Sequence, residues 1–446
     1  MMDRNVSFRV ITFGCQMNKS RSEHLSYLFS QSGFVAASRP EEADILIFNT
    51  CAVREHAVER AVNAMNQMVT NIVSRKGKAP VVVVCGCMSE LLREKLMQKI
   101  PLAKLLAGTQ RWDVIPSLLR ENLDKEGQIC FFDSEEPAPF LESGYIRESR
   151  TFAYLPITYG CDNFCSYCVV PYVTGRQRSK PGNLVLEELG NILQEGFPEV
   201  ILLGQNVNSY GKDLRVPHTF EHLLDDIERL FGKEEIWVRF ITSHPKDMRK
   251  SIIERVQGSA IFCPYFHLPL QAGSDRILSL MNRGYTQRDY LKMADLIRNS
   301  FPDVGIGTDI IVGFPGETEK DFRETLKVVE AIQFDIAYTY IYSPRPLTAS
   351  ARLWDDVPQR TKEERLRTLN ALLREIYLRK IEKRLGTTVE VLVEKEEDVY
   401  YVAHTRSNLR VHLKKNGGVR PGRQMVVRLQ SLQGTKVEGE VTTPAL

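Results

Sequence analysis

Ten short runs rich in β-branched and aromatic residues punctuate the first 342 positions, each followed by a turn residue and a helix-length periodic segment. Such alternation admits little besides parallel sheets wrapped by helices, an α/β fold. Four runs, at 7–13, 44–49, 80–85 and 103–107, predict an N-terminal parallel αβ sheet domain. Six more, at 153–159, 198–203, 236–242, 261–268, 304–312 and 336–342, form a second series. Six βα units are too few to close the eight-stranded barrel, so a partial (β/α)6 barrel is expected, with its chemistry at the C-terminal strand ends. Between the series, residues 126–150 carry Gly127, Pro137, Pro139 and Gly144 with little periodicity and read as a connector.

After Gly386 the pattern changes to short alternating strands at 388–394, 399–404, 408–413 and 424–429, punctuated by Asn416-Gly417-Gly418 and Pro421-Gly422. This predicts a small all-β barrel. The expected boundaries are 1–125, a linker at 126–146, 147–378 and 379–446. The overall charge of +3 hides an asymmetry, because residues 379–446 hold 13 Lys and Arg against 8 Asp and Glu. The basic charge is concentrated where a small barrel could grip a polyanion. A helix at 361–385 is also rich in cations, among them Lys362, Arg365, Arg374 and Arg379, with Glu363, Glu364, Glu375 and Glu382 interspersed as intrahelical partners.

No stretch approaches the ~18 uninterrupted apolar residues of a membrane span, and Met1-Met2-Asp3-Arg4 opens no signal-peptide apolar region. A cytoplasmic protein without membrane association is expected. Its nine cysteines are then reduced thiols, available for metal or catalysis. Cys161, Cys165 and Cys168 form a CxxxCxxC motif directly after the first strand of the second series. Structural zinc wants four ligands, and no fourth Cys or His lies nearby in sequence. Three thiolates suit a [4Fe–4S] cluster that leaves one iron open. A zinc site completed by a distant ligand is the competing reading.

Cys15, Cys51 and Cys87 carry independent information. Each closes one of the first three runs, and they are spaced 36 and 36 residues apart, one βα unit each. In an open parallel sheet the C-terminal strand ends share one rim, where ligands bind. With strands about 4.8 Å apart, three thiols there could converge on one cluster. The alternative is three buried small hydrophobes. Cys85, Cys130 and Cys263 are expected in the core.

The Cys161-to-Cys168 loop on a partial barrel resembles the radical S-adenosylmethionine (SAM) superfamily. With the second thiol triad and the basic barrel, the whole chain resembles its methylthiotransferase family, which joins an N-terminal sulfur-handling domain, a radical SAM domain and a C-terminal TRAM domain. The stretches Thr12-Phe13-Gly14-Cys15-Gln16-Met17-Asn18 and Asn49-Thr50-Cys51-Ala52-Val53-Arg54 resemble the branch acting on isopentenylated tRNA adenosine. The other branches act on threonylcarbamoyl-adenosine or on a ribosomal-protein aspartate.

The resemblance implies two [4Fe–4S] clusters, an auxiliary one on Cys15, Cys51 and Cys87 and a SAM-binding one on Cys161, Cys165 and Cys168. It implies methylthiolation of carbon 2 of the adenine next to the anticodon, with SAM as methyl donor and as source of a 5′-deoxyadenosyl radical. A tRNA anticodon stem-loop and a reducing electron-donor protein are the implied partners. Both clusters must face one cavity, so the two rims should be apposed. The chain departs from the family pattern at Arg21-Ser22-Glu23, where Asp-Ser-Glu is usual, at Thr174-Gly175, and at Leu347, where Gly is usual.

Candidates for holding SAM are Tyr167 beside the cysteines and Gly204, Gln205, Asn206, Ser243, Gln271 and Asp309 at successive strand ends. Gly313-Phe314-Pro315-Gly316-Glu317 could shape an adenine pocket or form a tight turn. For RNA phosphates the candidates are Arg406, Arg410, Lys414, Lys415, Arg420, Arg423 and Arg428.

Overall fold

The strand register of the first sheet places the N-terminal cysteines. The computed structural model describes residues 6–52, 55–132, 139–140, 144–415 and 418–442. Met1-Met2-Asp3-Arg4, Val53, Arg54, Pro137, Asn416 and Gly417, all invoked above, lie outside those residues. Strands β1 (Ser7–Phe13), β2 (Val35–Ala36), β3 (Ile45–Thr50), β4 (Val81–Gly86), β5 (Ala103–Ala107) and β6 (Ile129–Phe131) form one sheet in the order β2-β1-β3-β4-β5-β6. All pairings are parallel. Every residue of the central strand β3 is buried, with Leu46 and Phe48 in the core on one face and Ile45 and Ile47 on the other. This is why it reads as a continuous apolar run.

The sheet extends beyond the expected boundary at residue 125, because Ile129 pairs with Leu105 and Cys130 with Leu106. Three residues on an edge leave no periodic signal. Cys130 accordingly is exposed there, not in the core, whereas Cys85 and Cys263 are buried as expected.

In the second series, β7 (Ala153–Pro156) is followed by a short antiparallel pair, β8 (Thr158–Tyr159) with β9 (Arg178–Ser179), that brackets the cysteine loop. The remaining strands are β10 (Glu199–Leu203), β11 (Trp237–Phe240), β12 (Tyr265–His267), β13 (Gly305–Val312) and β14 (Ile336–Ile341). They form two parallel triplets, β11-β10-β7 and β12-β13-β14, joined by a bridge from Val238 to Phe262. The result is an open six-stranded barrel around a core that includes Leu202, Phe240, Phe266 and Ile310.

The C-terminal barrel is closed by β15 (Thr388–Glu396), β16 (Tyr400–Thr405), β17 (Arg410–Lys414), β18 (Gln424–Gln433) and β19 (Lys436–Val441). The fifth strand escapes the sequence pattern because charge and Gly439 interrupt its alternation. The helix expected at 361–385 is Gln359–Glu382, and two of its cations point inward: Lys362 pairs with Asp355 at 2.5 Å and Arg365 with Glu317 at 2.8 Å.

Buried polar contacts fasten the pieces together. Arg147 donates to Glu23 on the first helix (Gln16–Gln31) at 3.2 Å and faces Glu188 at 3.5 Å, while Lys180 also pairs with Glu188. At the other end Glu199 receives Arg239 at 2.9 Å and His404 at 2.8 Å. Arg239 continues to the carbonyls of Thr405 and Arg406, and the Arg406 guanidinium lies over Trp237 and donates to the Phe262 carbonyl at 3.1 Å.

After β14, Arg345-Pro346-Leu347-Thr348 makes a tight turn, with Thr348 N–H donating to the Arg345 carbonyl at 3.2 Å. Leu347 sits at φ +72°, exposed, where such a turn favours glycine. A left-handed non-glycine residue costs roughly 1–2 kcal/mol, partly offset by the entropy glycine loses on folding. Leu347→Gly should therefore raise unfolding free energy by about 1 kcal/mol in urea titration, and Leu347→Ala should not.

Candidate functional site

Phe13, Thr50 and Gly86 stand side by side in the register of β1, β3 and β4. Cys15, Cys51 and Cys87 follow them by one or two residues, so the three thiols share one rim. Asn18 and Asn49 fix this rim. Asn18 Nδ2 donates to Asn49 Oδ1 at 3.1 Å and to the Thr50 carbonyl at 3.0 Å, and Asn49 Nδ2 returns to the Asn18 carbonyl at 2.8 Å. Cys15 Sγ contacts Asn18 Oδ1 at 3.3 Å. Gly86 has φ +96°, and a Cβ there would lie 2.5 Å from the Thr50 carbonyl oxygen, so only glycine lets β4 turn into Cys87.

The second triad lies on a loop held from three directions. Cys161 N–H donates to the Gly175 carbonyl at 3.2 Å. Ser166 donates through its amide and hydroxyl to Met281 and Leu280, and its carbonyl accepts from Ser350 N–H at 2.8 Å. Arg283, fully enclosed, donates to Cys165 Sγ at 3.2 Å, to the Tyr167 hydroxyl at 3.4 Å and to the Pro269 carbonyl at 2.9 Å. Gly160 precedes the motif at φ +72°, where a Cβ would strike the Arg176 carbonyl at 2.1 Å.

The rims meet. Met17, two residues after Cys15, packs with Tyr154 and Leu203, and Ala52 packs with Val169 and Val173 beside Cys87. Burial pushes the Cys87 thiol up to about 11 and Cys168 up to about 12, whereas a hydrogen bond from Cys51 brings Cys15 down to about 6. Among the described residues no three Cys, His, Asp or Glu side chains close around a single ion. Two all-sulfur triads on facing rims, with Cys165 buried, Cys15 exposed and the other four between, fit iron–sulfur clusters, whose thiolates bind separate irons of one cube.

The SAM candidates divide. Gln205, Ser243 and Gln271 each bury a side-chain oxygen with no hydrogen-bond partner, and so do Thr158 and Asn208; His244 Nε2 is likewise unpaired. Buried polar atoms are nearly always satisfied, so six orphans along one rim fit a polar ligand such as SAM. Gly204 lets the chain pass Thr158, since a Cβ would lie 2.1 Å from its hydroxyl. Asn206 is already engaged, donating to Asp247 at 2.6 Å and accepting from His244 N–H at 3.1 Å, and Asp309 lies 3.2 Å from His267 Nε2. Tyr167 is held by Arg283 beneath the cysteine loop. Glu317 accepts from Gly313 N–H at 2.6 Å and from Arg365, so the 313–317 segment is a braced turn.

Sequence reasoning missed Arg283 and His244. Arg283 belongs to no spacing pattern, and His244 stands one residue beyond a chosen strand end. Of the barrel cations, Arg410, Lys414 and Arg420 are exposed, Arg423 is half-buried, Lys415 pairs with Glu396 at 2.6 Å and Arg428 donates to the Gly386 carbonyl at 3.1 Å. Arg406 is occupied at the junction with Trp237 and Phe262, which removes it from a surface role.

Residues 155–329 match the radical SAM superfamily, and residues 7–108 match the uncharacterized protein family UPF0004. Relatives named tRNA-2-methylthio-N(6)-dimethylallyladenosine synthase occur in Caldicellulosiruptor saccharolyticus, 40% identical over 92% of this chain and 87% of theirs. Those of Clostridium novyi (39%; 98% and 97%) and Moorella thermoacetica (39%; 99% and 99%) match end to end. Among solved structures, the radical SAM methyltransferase TsrM of Kitasatospora setae, bound to cobalamin and a [4Fe–4S] cluster, aligns with TM-score 0.57 at 15% identity, over 78% of this chain and 74% of that one. The cobalamin-dependent radical SAM enzyme OxsB aligns at 0.52 and 13%, over 83% and 56%. These likenesses show the fold.

Proposed function

The chain belongs to the tRNA-2-methylthio-N(6)-dimethylallyladenosine synthase family of radical SAM methylthiotransferases, and from that premise we propose that it places a methylthio group on carbon 2 of N6-isopentenyladenosine next to the anticodon of tRNA. Its cofactors are two [4Fe–4S] clusters and SAM. The observation that carries the reading is the packing of the two rims that bear the thiol triads, Met17 against Tyr154 and Leu203 and Ala52 with Cys87 against Val169 and Val173. When bound, these groups supply an adenosyl radical at one triad and sulfur at the other, the chemistry required where no side-chain base can remove the hydrogen of an unactivated carbon.

The chain's own residues bind, orient and exclude. Arg283 fixes Cys165, and Asn18 with Asn49 fixes the opposite rim. Gln205, Ser243, His244 and Gln271 offer unpaired polar atoms to SAM. Burial keeps the His244 ring neutral, and because its Nδ1 accepts from the Lys246 N–H, its Nε2 carries the proton and can donate. Arg410, Lys414, Lys415, Arg420, Arg423 and Arg428 grip RNA phosphates from the C-terminal barrel, a TRAM domain. We assign residues up to 131 to the sulfur-handling domain, those from about 147 to 378 to the radical domain and 379–446 to TRAM, the first boundary following β6. A reducing protein delivers electrons. A cytoplasmic site follows from the proposed tRNA substrate; separately, no helix among the described residues is long and apolar enough to cross a membrane.

The test is direct. Anaerobically reconstituted enzyme with SAM and a strong reductant should convert an anticodon stem-loop carrying N6-isopentenyladenosine to its 2-methylthio form. Product only on a threonylcarbamoyl-adenosine stem-loop, or on a ribosomal-protein aspartate, would overturn the substrate assignment.

A further inference from the structure

Among the described residues Arg21 is a buried cation without an anion. It projects from the first helix, six residues after Cys15, and only 8% of it reaches solvent. Its Nε has no hydrogen-bond partner, and among the described residues it makes no ion pair. Its contact is with the Tyr159 ring, 5.6 Å from the guanidinium carbon. The carboxylates nearby are taken: Glu23 by Arg147, Glu90 by Arg93 and Thr109 N–H, Glu188 by Arg147 and Lys180. An isolated buried charge is strongly disfavoured unless something of opposite sign sits against it.

The place of Arg21 identifies that partner. Arg21 lies one helical turn beyond Asn18, whose side chain contacts Cys15 Sγ and binds the Thr50 carbonyl next to Cys51, and its guanidinium rests on the ring of Tyr159. A cube of iron and sulfide held by three thiolates is an anion, and its reduction potential depends on local charge and on hydrogen bonds to its sulfurs.

We propose that Arg21 is the counter-charge of the cluster on Cys15, Cys51 and Cys87, a positioning residue whose guanidinium raises that cluster's reduction potential and helps retain it. The proposal rests on the reading that this triad holds a cluster. Removing the charge makes the loaded site harder to reduce and relieves the empty chain of an unpaired cation.

The experiment uses the full chain carrying Cys161→Ala, Cys165→Ala and Cys168→Ala, so that only the N-terminal cluster is loaded, at about four irons per chain. A redox titration followed by EPR should give a more negative midpoint for Arg21→Met than for this parent, with Arg21→Lys retaining most of the parent value. Melting curves should show the empty Arg21→Met chain more stable than its empty parent, with a smaller gain on loading. An unchanged midpoint overturns the proposal, and so does weaker anticodon stem-loop binding at an unchanged midpoint, which would put Arg21 on an RNA phosphate. A parent that takes up no iron would instead refute the N-terminal cluster itself.

Discussion

Replacing Cys161, Cys165 and Cys168 by Ala should abolish 5′-deoxyadenosine formation from SAM, while replacing Cys15, Cys51 and Cys87 should leave it in place and end sulfur transfer alone. The expectation follows from scaffolding. The first set hangs from Arg283, Ser166 and the Gly175 carbonyl, and the second from the Asn18–Asn49 lock. Among the described residues neither scaffold borrows a hydrogen bond from the other, so each loop should survive loss of its neighbour's thiols. Iron content should fall from about eight to about four per chain in either variant. Mass spectrometry of deoxyadenosine and of the digested RNA reads both outcomes. Methylthio product from the second variant would refute the role given to the N-terminal triad.

The junction with the C-terminal barrel should be the most damaging place to remove a single charge outside the clusters. Glu199 is 1% exposed and is the common acceptor for Arg239 and His404. Arg239→Met leaves that carboxylate buried with half its partners and frees the Thr405 and Arg406 carbonyls, a loss of roughly 3–5 kcal/mol in urea unfolding. The exposed pair of Lys250 and Glu254 is the control, expected to be worth under about 1 kcal/mol. Replacing both Glu199 and Arg239 by apolar residues should cost less than Arg239→Met, because no orphan charge remains. Burial alone would raise the Glu199 pKa, but His404 and Arg239 outweigh it and hold the carboxyl at about 2. A carboxyl depressed below its unfolded value stabilises the fold above about pH 4 and loses that contribution as pH falls through 2. The wild-type junction should thus survive mild acid, and Glu199→Gln should lose this part of the acid dependence. A pH profile of Trp237 fluorescence, buried at the junction, tests it.

The sequence exposed most of what depends on periodicity and on spacing along one strand end. The ten apolar runs all contain strands, and the equal spacing of Cys15, Cys51 and Cys87 becomes a shared rim once Phe13, Thr50 and Gly86 align. Strands of two or three residues, Val35–Ala36 and Ile129–Phe131, were illegible because pairing, and not pattern, defines them. Charge counting misled at Lys362, Arg365 and Arg406: Lys362 is buried over the Tyr342 ring and pairs with Asp355, Arg365 reaches the buried Glu317, and Arg406 reaches the Phe262 carbonyl in another domain. Gln205, Ser243 and Gln271 were legible from their places at strand ends, whereas Arg283, His244, Thr158 and Asn208 were invisible for the same reason. They acquire meaning only where separate βα units converge.

The weld around Glu199 has a geometric corollary. Arg239, His404 and Arg406 tie the five-stranded barrel to the radical domain, which sets the separation between its basic face and the seam between the thiol rims. If, as proposed, that face holds RNA by its phosphates, an adenine reaches the seam only when the intervening stem has the matching length and helical phase, and the span itself would then select among RNAs.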